Sequence, residues 1–70
     1  MDKLKIFRED SGITQKFVAQ KIGMTQQGYS KLEKDFSKCS IGRISKIAKI
    51  LCIPEADLFD ILKEYFNARG

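Results

Sequence analysis

Apolar positions recur along the chain three and four residues apart, and no stretch alternates for long enough to predict a strand. Between the punctuating Gly12, Gly23 and Pro54, this periodicity predicts five helices. The first covers about residues 2–11, with Asp2 as its cap, Leu4 and Phe7 facing inward and Gly12 as its stop; Ile6 falls off that stripe. The second, Gln15–Ile22, has Thr14 as its cap, Val18, Ala19 and Ile22 on one face, and Gly23 ready for a left-handed turn. The third, Gln26–Lys34, starts one short turn later behind the cap Thr25. Tyr29 and Leu32 turn inward there, whereas Gln26, Gln27, Ser30 and Lys31 turn out.

Residues 35–39 read as a polar connection, after which Ser40 caps a fourth helix over 41–51, whose Ile44, Ile47, Ala48 and Leu51 share a face. Pro54 suits the first position of a fifth helix, with Glu55 and Asp57 complementing the positive end of its dipole. That helix is predicted to run to Phe66 and to fray over 67–70. With no internal repeat or linker, 70 residues are expected to form a single all-α domain.

Net charge is +4, but its distribution is uneven: residues 1–10 are neutral, 11–49 carry eight bases against Glu33 and Asp35, and 50–70 carry two bases against four acids. A basic middle with an acidic end points one face toward a polyanion, although a solvated lysine-rich face gives the same pattern. No stretch is apolar enough to span a membrane and the first residues lack a signal-peptide core, so a cytoplasmic location is expected. Cys39 and Cys52 stand in a chain with no histidine, too few ligands for a structural zinc site; two ordinary thiols are expected rather than a disulfide. Cys52, among Ile50, Leu51 and Ile53, reads as a small apolar side chain. Neither a cofactor loop nor an acid or nucleophile beside a base is visible, so no enzyme, cofactor or small-molecule ligand is expected.

Residues 14–33, from Thr14-Gln15 through Ala19, Gly23-Met24-Thr25-Gln26-Gln27-Gly28 to Glu33, resemble the helix-turn-helix of the lambda Cro and repressor (Xre) family. Arg8 and Glu33 match a pair that commonly forms an ion pair in that family, and 58–61 is similar to its usual ending. The resemblance implies a five-helix lambda-repressor-like fold with the helix-turn-helix at the second and third helices, about 14–34, and a bacterial or phage source. It also implies double-stranded DNA as the partner. This sequence departs from the pattern at Lys34-Asp35-Phe36, where a glycine is usual, at Cys52, another frequent glycine, and at Phe17, a commonly polar site that is expected to be exposed.

A major groove roughly 12 Å wide admits one helix, clamped by a second. The outward residues of the third helix are therefore the candidate base readers. Gln26 and Gln27 each carry an amide suited to adenine, Lys31 reaches guanine or a phosphate, and Ser30 contacts either. Candidate backbone contacts are Gln15, on the resemblance, with Thr25, Lys34, Ser37, Lys38 and Arg43 at helix starts and in the loop. Gly28 either lets the backbone approach DNA or marks a place where no side chain was needed. Tyr29 is core by period, its hydroxyl left for solvent or a phosphate.

Leu62, Tyr65 and Phe66 either cover a homodimer interface or fold back to complete a small core. The expectation is a sequence-specific transcriptional regulator, a repressor acting on an operator as a dimer. The alternative is a protein-interaction module, an antitoxin or adaptor, built on the same fold.

Overall fold

A computed structural model describes residues 2–69, and every regular element in it is helical. The elements are α1 (Lys3–Asp10), α2 (Gln15–Ile22), α3 (Gln26–Lys34), a 3-10 turn (Phe36–Lys38), α4 (Ile41–Ile50) and α5 (Glu55–Arg69). Three starts are set by one device: Thr14, Thr25 and Ser40 each accept, through the side-chain oxygen, the backbone N–H three residues on. Asp2 does not do this for α1, since its side chain makes no capping hydrogen bond. Pro54 precedes α5 rather than opening it; its carbonyl accepts from the Leu58 N–H at 2.9 Å.

The core collects one face of each helix. Leu4, Val18, Ala19, Tyr29, Leu32, Ile44, Ile47, Ala48, Leu51, Ile61 and Tyr65 are all buried. Tyr65 thus belongs to the core and is not available as a dimer residue, whereas Leu62 is half-buried and Phe66 is 56% exposed. The stretch expected to be a polar connection supplies one more core side chain, the fully buried Phe36. It anchors the 3-10 turn against α5, and Asp35 folds the turn's entry by accepting from both the N–H and the hydroxyl of Ser37.

Two further differences arise, one from a tertiary contact and one from a local turn. Residues 67–69 continue α5 instead of fraying, because the Arg69 guanidinium is tied down by hydrogen bonds from its Nη1 to the Ser37 carbonyl and the Tyr65 hydroxyl. Cys52 is exposed, not apolar filling, and holds φ at 53°, the left-handed region where a glycine costs nothing. Ile53 N–H reaches the Ala48 carbonyl at 3.0 Å across that turn, which is the hydrogen bond the conformation makes possible. Both cysteines are free thiols, and burial pushes the Cys39 thiol's pKa up. Among the described residues no helix is long and apolar enough to cross a membrane, and no cluster of metal-ligating side chains occurs.

Candidate nucleic-acid interface

α2 and α3 are joined by a turn over residues 23–25, and their relation depends on two small residues. Gly23 takes φ 73°, so that the Met24 N–H can return to the Ala19 carbonyl at 2.8 Å. Ala19, 1% exposed, leaves room for α3 to cross. Met24 then packs against the core beside the turn.

The pair is braced from α1. Arg8 donates through Nε and Nη2 to the two carboxylate oxygens of Glu33, and through Nη1 to the Ile13 carbonyl at 2.8 Å. Gln15, at the start of α2, adds a hydrogen bond from its amide to Glu33 Oε1 at 3.1 Å. One carboxylate at the end of α3 therefore gathers α1 and α2. Burial pushes the Glu33 carboxyl up, but the hydrogen bonds from Arg8 and Gln15 outweigh it and hold the group below the ordinary glutamate range. The Tyr29 hydroxyl is buried beside this carboxylate without a hydrogen bond of ordinary geometry. It faces neither solvent nor a phosphate site, and burial, reinforced by Glu33, raises its pKa far above the usual phenol value.

So held, α3 presents its polar face between two hollows of different chemistry. On one side Gln15, Gln26, Gln27 and Ser30 line a shallow space of about 350 Å³ that contains no charged side chain. On the other, Lys31, Lys38 and Arg43 surround a space of about 400 Å³ floored by Met24, Gly28 and Leu32, with Asp35 and Cys39 at its edge. Amide groups that offer both donor and acceptor lie on one flank, and cations lie on the other.

Residues 4–58 match the family model described as helix-turn-helix, well over half of the chain. The chain belongs to the helix-turn-helix family. No curated protein and no solved structure matches it. Its kind is the Xre and Cro-like one, with the lambda-repressor-like arrangement of helices, and such a domain binds DNA as a regulator.

In this helix-turn-helix protein most of the residues singled out from sequence do converge on one side, but with a different grouping. Gln26, Gln27, Ser30 and Lys31 share the outward face of α3. Lys38 and Arg43 join Lys31, whereas Lys34 lies away from them, in a small hollow with Asp2, Lys5, Gln15 and Ser30. Gln15 is half-committed, its amide nitrogen donated to Glu33 and its oxygen left over. Ser37 is engaged within the loop through its hydroxyl and its N–H, both donated to Asp35, and its carbonyl accepts from Arg69 on α5.

Gly28 gains a third explanation. A Cβ there would sit 3.1 Å from the Thr25 hydroxyl that caps the helix and 3.4 Å from the Met24 methyl. Thr25 itself spends its oxygen on the Gly28 N–H at 3.0 Å. Lys46 was not among the expected contacts, yet it lines a hollow of about 240 Å³ with Ile22, Ser40, Gly42 and Arg43. Its spacing of three from Arg43 on α4 is the signal that places both on one face.

Proposed function

We propose that this protein is a sequence-specific regulator of transcription, a repressor that occupies an operator as a homodimer in the cytoplasm. The observation that carries the reading is the exposed polar face of α3, with Gln26 and Gln27 beside an uncharged hollow and Lys31, Lys38 and Arg43 around a cationic one. The amides suit direct readout of adenine N6 and N7 in the major groove, and the cations suit the adjoining phosphates. Dimerisation follows from the rule that paired domains read half-sites about 34 Å apart. A stripe on α5 supports it: Phe59, 66% exposed, and Phe66, 56% exposed, with half-buried Leu62 between them. Phe59 replaces Tyr65 in that role.

Selection of bound duplexes from a random pool, followed by salt titration on the winner, tests this. The expected product is a palindromic site whose binding falls with salt on a log-log slope of about −4 to −5 for each domain making some five phosphate contacts. The aromatic stripe would serve an antitoxin or adaptor equally well. Enrichment of no sequence, with protein binding that scarcely responds to salt, would favour that second reading.

A further inference from the structure

Lys38 stands at the junction of two hollows, one shared with Lys31 and Arg43 and the other, of about 410 Å³, shared with Ser37, Ala68 and Arg69. The carbonyls of the two residues that flank it in sequence, Ser37 and Cys39, are both held by the last turns of α5. The Tyr65 hydroxyl donates to the Cys39 carbonyl at 2.7 Å, and Arg69 Nη1 donates to the Ser37 carbonyl at 3.0 Å. The two grips are linked, since Arg69 Nη1 also donates to the Tyr65 hydroxyl at 2.9 Å and the guanidinium lies 5.2 Å from the Tyr65 ring centre.

We propose that Tyr65 and Arg69 are positioning residues of the DNA interface, which fix the backbone around Lys38 and so set where its ammonium meets a phosphate. The inference rests on Lys38 being a phosphate contact. A lysine side chain already loses much rotamer freedom on binding, and a mobile loop beneath it would add its own ordering cost to every complex. α5 removes that second cost in advance. Asp35 and buried Phe36 fix the entry to the turn, but among the described residues the side chains that donate to the carbonyls of Ser37 and Cys39 lie on α5. An element whose outer face carries Phe59 and Phe66 thereby also aims a cation at the DNA.

The test uses the whole chain and the selected duplex. Tyr65→Phe and Arg69→Ala are each made alone and combined with Lys38→Ala, at a temperature where circular dichroism shows every variant fully folded. Lys38→Ala is expected to weaken binding roughly tenfold and to reduce the salt slope by about 0.9. Tyr65→Phe changes no charge, yet it is expected to lower that slope too, by up to about 0.9, with the ranking of duplexes unchanged. In either background, adding Lys38→Ala is expected to cost much less than it does alone. Full additivity would overturn the proposal, because Arg69 would then be acting on its own account. A wild-type slope in Tyr65→Phe would overturn it as well. If Lys38→Ala alone binds with the wild-type slope, the reading of Lys38 itself fails, and the positioning role with it.

Discussion

Arg8 and Glu33, 25 residues apart in sequence, pair inside the protein with only 11% and 3% of their side chains exposed. Removing one partner strands the other, and a stranded buried charge typically costs 3–5 kcal/mol. For a domain of this size, whose whole stability is on the order of 4–10 kcal/mol, Glu33→Ala is expected to lose about 3 kcal/mol in urea unfolding. Replacing both, Arg8→Met with Glu33→Leu, should recover most of that loss. A cost below about 1 kcal/mol for the single change would mean that water already reaches Arg8.

The same pair sets a pH dependence. Burial alone would raise the Glu33 carboxyl, but Arg8 and Gln15 bring it net below its unfolded value. A group depressed in the folded state contributes stability that is complete above the unfolded pKa and is lost as pH falls through the folded one. Stability measured from pH 7 downward should therefore decline once the medium is more acid than the ordinary glutamate range. Exposed Asp35, lowered by its hydrogen bonds from Ser37, acts in the same direction more weakly. Glu33→Gln, less stable at pH 7, should show a visibly shallower decline over that window; an identical acid slope would remove Glu33 as its source.

Where local chemistry decides a structure, the sequence carried it. The starts of α2, α3 and α4 lie where Thr14, Thr25 and Ser40 put them, because each cap needs only the next three residues. The polar face of α3 was readable for the same reason. What was hidden depends on distant partners. Phe36 is a single apolar residue in a polar stretch and has no period to betray it, while Arg69 gains a role only from the loop that α5 happens to reach. On α5 apolar residues occur all round, so the list alone does not say that Ile61 and Tyr65 go inside and Phe59 and Phe66 outside.

Cys52 is a case where the signal was a missing residue. Its φ of 53° costs an L-amino acid roughly 1–2 kcal/mol, offset in part when glycine's larger unfolded-state entropy is counted. Cys52→Gly should therefore stabilise the protein by about 0.5–1 kcal/mol, seen as a higher urea midpoint at unchanged m-value. Loss of stability would show that the thiol makes a contact worth more than the strain.

On the DNA side, Gln27→Ala should cost about 1–3 kcal/mol on the preferred duplex and relax preference at one base pair. Gln27 is exposed on α3, so the fold should be untouched and the melting temperature should stay within a degree or two. An equal loss on every duplex would make Gln27 a backbone contact instead.

The outer stripe of α5 is open to a separate test because its aromatics are not structural. Phe59 and Phe66 are more than half exposed, while Tyr65, edge-on to Phe66 at 5.3 Å, is buried. Replacing both exposed rings by glutamine, Phe59→Gln with Phe66→Gln, should change folding stability by no more than about 1 kcal/mol. On the proposed reading, sedimentation should find a dimer for the parent protein and a monomer for this variant. Affinity for a single half-site should stay as it was, while affinity for the full palindrome should drop toward the half-site value, since two linked contacts become two independent ones. An unchanged dimer would move the interface off this stripe. A parent protein that is monomeric at concentrations that saturate its site would leave the rings to some other protein partner, and the palindrome would have to be read one domain at a time.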